Sequence, residues 1–560
     1  MSRLDRLGAV KEVAQIGACI GRVFHHRLLA AVTGPGGVRL QDVMPQLEES
    51  ELVFRRGVPP EATYTFKHAL VRDAAYQSLL KSRRQQIHAK IAATLDAQFQ
   101  EIVATEPETL AHHYTVAGVN YQAAAYWLKA GQLALKRSAN LEAASHLHKG
   151  LELVGSLPES EDRLRLELSL QTATGTAMIA AKGWGAPEVL QAFSSARRLA
   201  DTLGDKPQIF AAMRGESSYQ TISGNLRAAK ILGHQCQSLG LELAQASDDS
   251  GYILEAHHQL WGINYYLGDY DASELHASHG LATYDYERHR HLAWGYAGHD
   301  PGVCCRAFSA QMLHMRGRAD QALVRSRDAI ALAERDSHPV STAQAQLSFC
   351  LVHLMRREPA EALHWAKKAV ALCTEFVMPL LLGQARVYLG WALADLGQLK
   401  EGIRQMRLGI AGIAATGADM GMAYYLCILA RTCGERGDAI EGLALLEQAF
   451  DTLGKSTSKY QLPELLRTRG ELLSALDPAN EAAENLFQQS LTAARDQGAK
   501  SSELRAALGL GRLYVGQSRD EKARRILAPV YAGFTEGFDT LDLVEAKGLL
   551  QTLSHSTAQE

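Results

Sequence analysis

Ten residues able to hold a metal ion crowd one stretch of the chain: His257, His258, His276, His279, His289, His291, His299 and His314, with Cys304 and Cys305. Imidazole nitrogens and thiolates are the ligands that zinc and copper take, so a metal site is the first chemistry to weigh. The stretch nevertheless has no HExxH pair and no CxxC, and two adjacent cysteines cannot both reach one ion without strain. These residues are read as structural, and no metal is expected. The nearest approach to a phosphate-binding loop is Ala449-Phe450-Asp451-Thr452-Leu453-Gly454-Lys455-Ser456. It has Ala where the first Gly belongs and ends a helical pattern instead of following a strand, so it is not read as one. A GxSxG nucleophile elbow is absent, and the carboxylates fall at turn and solvent positions, so no catalytic residue is assigned. The basic run Lys81-Ser82-Arg83-Arg84-Gln85-Gln86-Ile87-His88-Ala89-Lys90 could track a nucleic-acid backbone. It is read instead as a solvent or domain-contacting face.

Composition limits the remaining classes. The 560 residues exceed a single-core domain severalfold, and 47% hydrophobic content with only 15 prolines predicts folding nearly throughout. A formal net charge of −3 sets no strong field, although residues 1–90 hold 14 Lys/Arg against 8 Asp/Glu. Nucleic acid is therefore not the expected partner. Eight cysteines without paired spacing fit a reducing compartment. No apolar run approaches the roughly 18 residues of a membrane helix, and Arg3, Asp5, Arg6, Lys11 and Glu12 break up any secretory signal. A cytoplasmic protein with no membrane contact is expected.

Internal repeats organise the chain. Small residues Ala310, Cys350, Gly390, Ala430, Gly470 and Gly511 recur at intervals of about 40. Twelve residues after each comes Ala322, Ala362, Gly402, Gly442, Ala482 or Ala523, and seven further on Ala329, Ala369, Gly409, Ala449, Gln489 or Val530. Between the first two sets lie turns such as Leu396-Gly397-Gln398 and Arg436-Gly437-Asp438. Each repeat is thus a helical hairpin whose small residues let the two helices approach, with Leu393, Met406, Leu446, Leu486 and Leu527 as apolar fill. The spacing resembles the tetratricopeptide (TPR) pattern, whose usual period is about 34 residues, so the helices are about one turn longer here. An early unit with Trp127, Gly131, Ala134, Ala143, Leu147 and Gly150 starts the array near residue 120. Roughly ten pairs follow, with an insertion of about nine residues at Arg288–Val303 and a helix interruption at His299-Asp300-Pro301-Gly302.

The first ninety residues differ in kind. Helices at about 8–18, 25–32 and 41–50, then one β-hairpin from Glu51–Arg55 and Thr63–Phe66 around a Gly57–Pro60 turn, predict a small winged-helix domain. A single long helix over about 68–99 leads onward. The expected fold is all-α: a winged-helix-like domain (1–80), a helical linker (81–119), irregular TPR-like repeats (120–300) and regular ones (301–555).

Seven segments in order resemble bacterial signal-transduction ATPases of the STAND class that carry TPR repeats and are often fused to a class III adenylate/guanylate cyclase. They are Arg3–Leu7 (RLDRL), Ala14–Ala18 (AQIGA), Phe54–Gly57 (FRRG), Tyr64–Tyr76 (YTFKHALVRDAAY), Leu110–Gly118 (LAHHYTVAG), Gly298–Cys304 (GHDPGVC) and Phe534–Lys547 (FTEGFDTLDLVEAK). The resemblance places Met1–Asp5 just after the family's NTPase core, so the NTPase and cyclase domains, with their ATP and magnesium, are expected to be absent from this chain. In NB-ARC-type members a His-Asp motif closes the winged helix, and its imidazole contacts the β-phosphate of bound ADP. His68 and Arg72 stand at that motif, with Ala69 where the acidic residue belongs, so His68 either senses nucleotide or merely caps its helix.

The expected function is protein-protein interaction and sensing by stacked helix pairs, with a protein or peptide on the concave face and an NTPase or cyclase domain in trans as partner. Trp261, Tyr265, Trp294, Tyr296 and Trp391 are the candidate aromatic anchors. The alternatives are a stand-alone TPR adaptor, a winged-helix transcriptional regulator and an all-helical metal-dependent enzyme.

Overall fold

In the computed structural model, residues 8–34, 39–296, 298–336, 338–478 and 480–556 are described. The Arg3–Leu7 segment lies outside them. The chain divides into two compact units, the first running to Ala173 apart from Ser138–Asn140, the second running from Thr174.

The first unit opens with α1 (Gly8–Ile20), β1 (Val23–His25), α2 (His26–Thr33), α3 (Leu40–Glu49), β2 (Val53–Arg56) and β3 (Thr63–Phe66). The expected hairpin is there, but the sheet has three antiparallel strands in the order β1-β3-β2, with Phe24 opposite Tyr64 and Arg55 opposite Tyr64 on the other side. Strand alternation turns Tyr64 and Phe66 inward, and Phe24 packs on both rings at 5.6 and 5.5 Å. Gly17 leaves room for that ring, since a Cβ there would meet Phe24 Cζ at 2.9 Å. The three-residue strand β1 escaped the sequence reading because Val-Phe-His is too short to show alternation.

The single helix expected over 68–99 is two, α4 (Ala69–Gln77) and α5 (Lys81–Gln98). The chain breaks at Ser78–Leu80, where the Ser78 hydroxyl donates to the Ala75 carbonyl and Leu79 turns into the core. After α6 (Gln100–Thr105) and α7 (Pro107–Ala117), the first repeat hairpin, Asn120–Lys136 with Asn140–Val154, shares the same core. Trp127 and Tyr126 pack there with Leu95 and Tyr114, so the expected boundary at residue 119 is no break in packing.

Ten hairpins run from Asn120 to Ala532 among the described residues, closed by a last helix, Leu541–Ser556. This is a TPR-like helical-repeat fold. The region at 205–300 is more regular than its sequence suggests, forming the pairs Lys206–Ile222/Leu226–Ser247 and Gly251–Leu267/Tyr270–Thr283. The insertion contributes two single turns, Tyr286–His289 and Leu292–Gly295. His299–Gly302 starts a helix as much as it interrupts one: Asp300 Oδ1 accepts from Val303 N at 2.7 Å and caps Pro301–Met315.

The small-residue rule holds most tightly in Pro379–Asp395/Leu399–Ala415. A Cβ on Gly402 would lie 2.5 Å from the Gly390 carbonyl, and one on Gly409 2.5 Å from that of Gly383. The two backbones therefore touch through four glycines. One repeat departs from the expected register. Ala483 and Ser490 are fully buried where Ala482 and Gln489 were expected, and Phe487 replaces Leu486 as core fill. The small positions thus fall one residue later after the Asp477–Asn480 turn than the period implies.

The second unit coils so that hairpins nearly two hundred residues apart meet. Ser458 Oγ donates to the Tyr266 carbonyl across 192 residues at 3.0 Å, and Ser501 Oγ to the His314 carbonyl across 187. Near Gly185 the approach is close, with a Cβ there 2.8 Å from the Gly417 carbonyl carbon. At about 40 residues per repeat, one superhelical turn takes about five hairpins. No described helix is long and apolar enough to cross a membrane.

Candidate functional site

This coiling forms a partly open chamber of about 220 Å³. A cavity needs about 10–15 Å³ on this measure to admit one water, so the space suits a small molecule or several side chains of a peptide. Its wall is built by the first helices of successive hairpins from Lys206–Ile222 to Lys500–Gly516.

One repeat position supplies a continuous stripe of that wall. Cys304, Gln344, Gln384, Tyr424, Glu464 and Arg505 all line the chamber. Each stands six residues before one of the small markers Ala310, Cys350, Gly390, Ala430, Gly470 and Gly511. A small marker faces the partner helix, and six residues back along a helix is about 240° around it, so the stripe faces away from the hairpin into the lumen. Apart from Cys304, sequence reading missed these residues because it followed the small positions only; the period alone was the signal that could have found them.

The wall is aromatic and amide-rich. Trp261, Tyr265, Tyr388 and Tyr425 are buried yet border the space, joined by half-buried Tyr266 and Tyr460. Tyr265, Tyr266 and Tyr460 pack edge or tilted on one another at 5.2–5.5 Å. Gln344 Oε1 and both ring nitrogens of His314 have no hydrogen-bond partner among the described residues although both groups line the chamber. Such groups are paired in most proteins, so they mark where a bound molecule could donate and accept.

Charge is present but balanced. Arg214 Nε meets Glu255 Oε2 at 3.0 Å, with neither side chain more than 4% exposed. Burial pushes the Glu255 carboxyl up, against the pull of Arg214. At the other end Arg505 Nε donates to Asp542 Oδ2 at 2.6 Å, while Glu464 pairs with Arg467 at 2.8 Å. Burial raises Asp542, but Arg505 and Arg357 outweigh it and hold the carboxyl at about 2. His314 is pushed by burial to about 3, with Arg505 and Arg356 adding to the shift and Asp542 and Glu358 opposing it. It is a neutral ring near neutral pH.

The candidate anchors divide. Trp261 and Tyr265 reach the chamber. Trp391 is a core residue at 1% exposure, Trp294 stands edge-on to His338 at 4.3 Å, and Tyr296 packs on Phe210 at 5.8 Å, none of them lining the chamber. His68 is exposed at the N-cap of α4 and makes no capping bond with its side chain. Arg72 Nε pairs with the adjacent Asp73 at 2.9 Å. The basic run is partly spent on internal contacts: Arg83 bonds Glu12 at 3.0 Å, Arg84 lies 4.2 Å over the Tyr76 ring, and His88 Nδ1 is 2.8 Å from His113 Nδ1. Ala449–Lys455 is helical, within Ala439–Lys455.

The histidine-rich stretch resolves into separate groups. His257 stacks on His279 at 4.6 Å and meets His276 at 2.8 Å. His289 meets Ser250 Oγ at 3.0 Å. His258, His299 and Cys304 gather in the chamber wall. Cys305 Sγ turns away and donates to the Ala277 carbonyl at 3.1 Å.

Fold and site together define a TPR-like helical-repeat protein with a partly open chamber on the inner helices. No family model matches the chain. It is 26% identical over 512 residues to an uncharacterized protein of Rhizobium meliloti (strain 1021), covering 90% of this chain and 49% of that protein. The chain thus spans about half the length of that relative. Among solved structures it is similar to a Rap protein complexed with Competence and Sporulation Factor, at TM-score 0.50 and 16% identity over 67% of this chain and 99% of that one. The STAND protein with a tetratricopeptide repeat sensor from Pyrococcus horikoshii matches at TM-score 0.33 and 10% identity, over 97% of this chain and 65% of that one. The Rap structure shares the repeat fold.

Proposed function

We propose that this chain is the sensing and protein-interaction module of a signal-transduction ATPase of the STAND or cyclase-linked type, and that its ligand is a short peptide held in the chamber. The observation that carries this reading is the chamber wall, where aromatic faces stand beside polar groups without a hydrogen-bond partner among the described residues, Gln344 Oε1 and both ring nitrogens of His314 among them. Aromatic faces bind apolar side chains, and amides pair with peptide backbone. A Rap protein of the same fold was solved complexed with Competence and Sporulation Factor, and the Rhizobium relative is about twice as long as this chain. Under this proposal residues 1–80 act as a winged helix that relays occupancy to an NTPase domain supplied elsewhere, and the chain itself catalyses nothing.

Selection of a short random-peptide library on the full chain, followed by calorimetry, tests the reading. Selected peptides should bind one per chain, and Gln384→Trp should abolish binding while leaving helicity and melting temperature unchanged. Equal affinity for Gln384→Trp and the unaltered chain would overturn the chamber as the site. ATP should give no heat of binding; micromolar ATP binding would overturn the non-catalytic reading.

A further inference from the structure

We infer that His258, His299 and Cys304 form a binding site for one divalent transition-metal ion of the zinc class, set in the chamber wall. One ligand atom from each of the three lies within 4.8 Å of the others, and all three residues are buried. They come from different elements: His258 from the middle of Gly251–Leu267, His299 from the turn before Pro301–Met315, and Cys304 from the first turn of that helix. The expectation of purely structural histidines rested on spacing along the chain, and folding replaces that spacing with this one.

The hydrogen bonding around the site prepares it for a cation. His258 Nδ1 lies 3.0 Å from Glu255 Oε2, so the ring places its proton on Nδ1, donates it in a hydrogen bond to the carboxylate and leaves the Nε2 lone pair turned toward His299. That is the arrangement of a carboxylate-histidine-metal triad. The two Nε2 atoms are 2.9 Å apart. In a tetrahedral zinc site two nitrogens lie about 3.3 Å apart, so the rings need to part by only about half an ångström. Both rings are held against indoles, His258 stacked on Trp261 at 4.7 Å and His299 edge-on to Trp184 at 5.8 Å. Arg214 does not face the ion bare, because its Nε is bonded to the same Glu255 oxygen.

Binding balances in two proton movements: the Cys304 thiol bonds to the metal through sulfur and its proton leaves to solvent through the chamber, while the proton between the two Nε2 atoms shifts to His299 Nδ1, so one proton is released per ion. Two imidazoles and one thiolate leave a fourth position open toward the chamber. A carboxylate or water could occupy it.

The test uses the full chain, stripped with a chelator and titrated with zinc and with cobalt(II) as an optical substitute. One equivalent should bind, with a thiolate-to-cobalt charge-transfer band, quenching of indole fluorescence and release of about one proton, read from the buffer dependence of the heat. Cys304→Ser should remove the band and His258→Ala should weaken zinc binding by at least about 100-fold. Cys305→Ser should change neither. Should His258→Ala not fold, Cys304→Ser and its control decide alone. Absence of the band in the unaltered chain would overturn the site. So would zinc binding that Cys304→Ser leaves intact, since the ion would then sit on another histidine group such as His88/His112/His113 or His257/His276/His279.

Discussion

The two helices of a single hairpin obey different rules. In Pro379–Asp395 ten residues are buried, scattered around the whole circumference, among them Leu380, Gly383, Val387, Gly390 and Trp391. Its partner Leu399–Ala415 buries Gly402, Ile403, Met406, Gly409 and Ile413, a single stripe at spacings of three and four with an otherwise open outer face. The first helix is enclosed because it meets its own partner, the neighbouring hairpin and the chamber. The second meets only what lies inward. Selectivity for a ligand can therefore reside on the first helices, while the second ones set spacing and solubility.

Glycines on the second helix expose the difference most sharply. Gly409→Ala would place a methyl 2.5 Å from the Gly383 carbonyl and 2.9 Å from Val387 Cγ2, so the backbones must separate. We expect a loss of about 2–3 kcal/mol in denaturant unfolding. Three residues on, a Cβ on Gly412 would meet only Gly383 Cα, in ordinary contact at 3.9 Å. Destabilisation of both variants alike would break the account of inner and outer faces.

Acid acts on the inner helices on a scale comparable to the glycine clash. His314, an inner-helix residue at 4% exposure, has its folded pKa lowered from 6.5 to about 3 by burial. The unfolded chain takes up that proton first, so stability present above pH 6.5 is lost progressively as the pH falls toward 3. His338, pushed by burial to about 4, acts in the same direction. The melting temperature should drop between pH 6.5 and 4, and His314→Gln should flatten that drop without removing it. An identical slope in the variant would contradict the assignment.

The smallest effect has the opposite sign. Gly412→Ala should gain about 0.5–1 kcal/mol, because alanine is the better helix former and nothing opposes its methyl. A loss there would mean that the outer face is covered.

How much of this was legible follows the same division. Small residues at the hairpin contact repeat strictly because a backbone approach such as Gly390 on Gly402 tolerates nothing larger, and the repeat could be read from them. The slip to Ala483 and Ser490 was not legible, because no residue marks the extra turn position before Glu481. The chamber was invisible for a different reason. It exists through contacts such as Ser501 to His314, and no local pattern encodes a closure across 187 residues. Trp391 was a candidate anchor by its aromatic character alone, yet its position faces the core. His258, His299 and Cys304 had ligand chemistry but no ligand spacing, and only the packing of neighbouring hairpins brings them together. Even so, the Gly298–Cys304 segment, singled out by resemblance, holds two of those three residues, and Phe534–Lys547 holds Asp542.

Photo-crosslinking compares the two faces most directly. p-Benzoylphenylalanine would replace Tyr424, half-buried on the chamber wall, in one sample and Leu408, 42% exposed on an outer helix, in another. Each full-length chain would then be irradiated with a labelled, library-selected peptide. The account predicts crosslinking from position 424, competed away by unlabelled peptide, and none from 408. Crosslinking from 408 with none from 424 would contradict it.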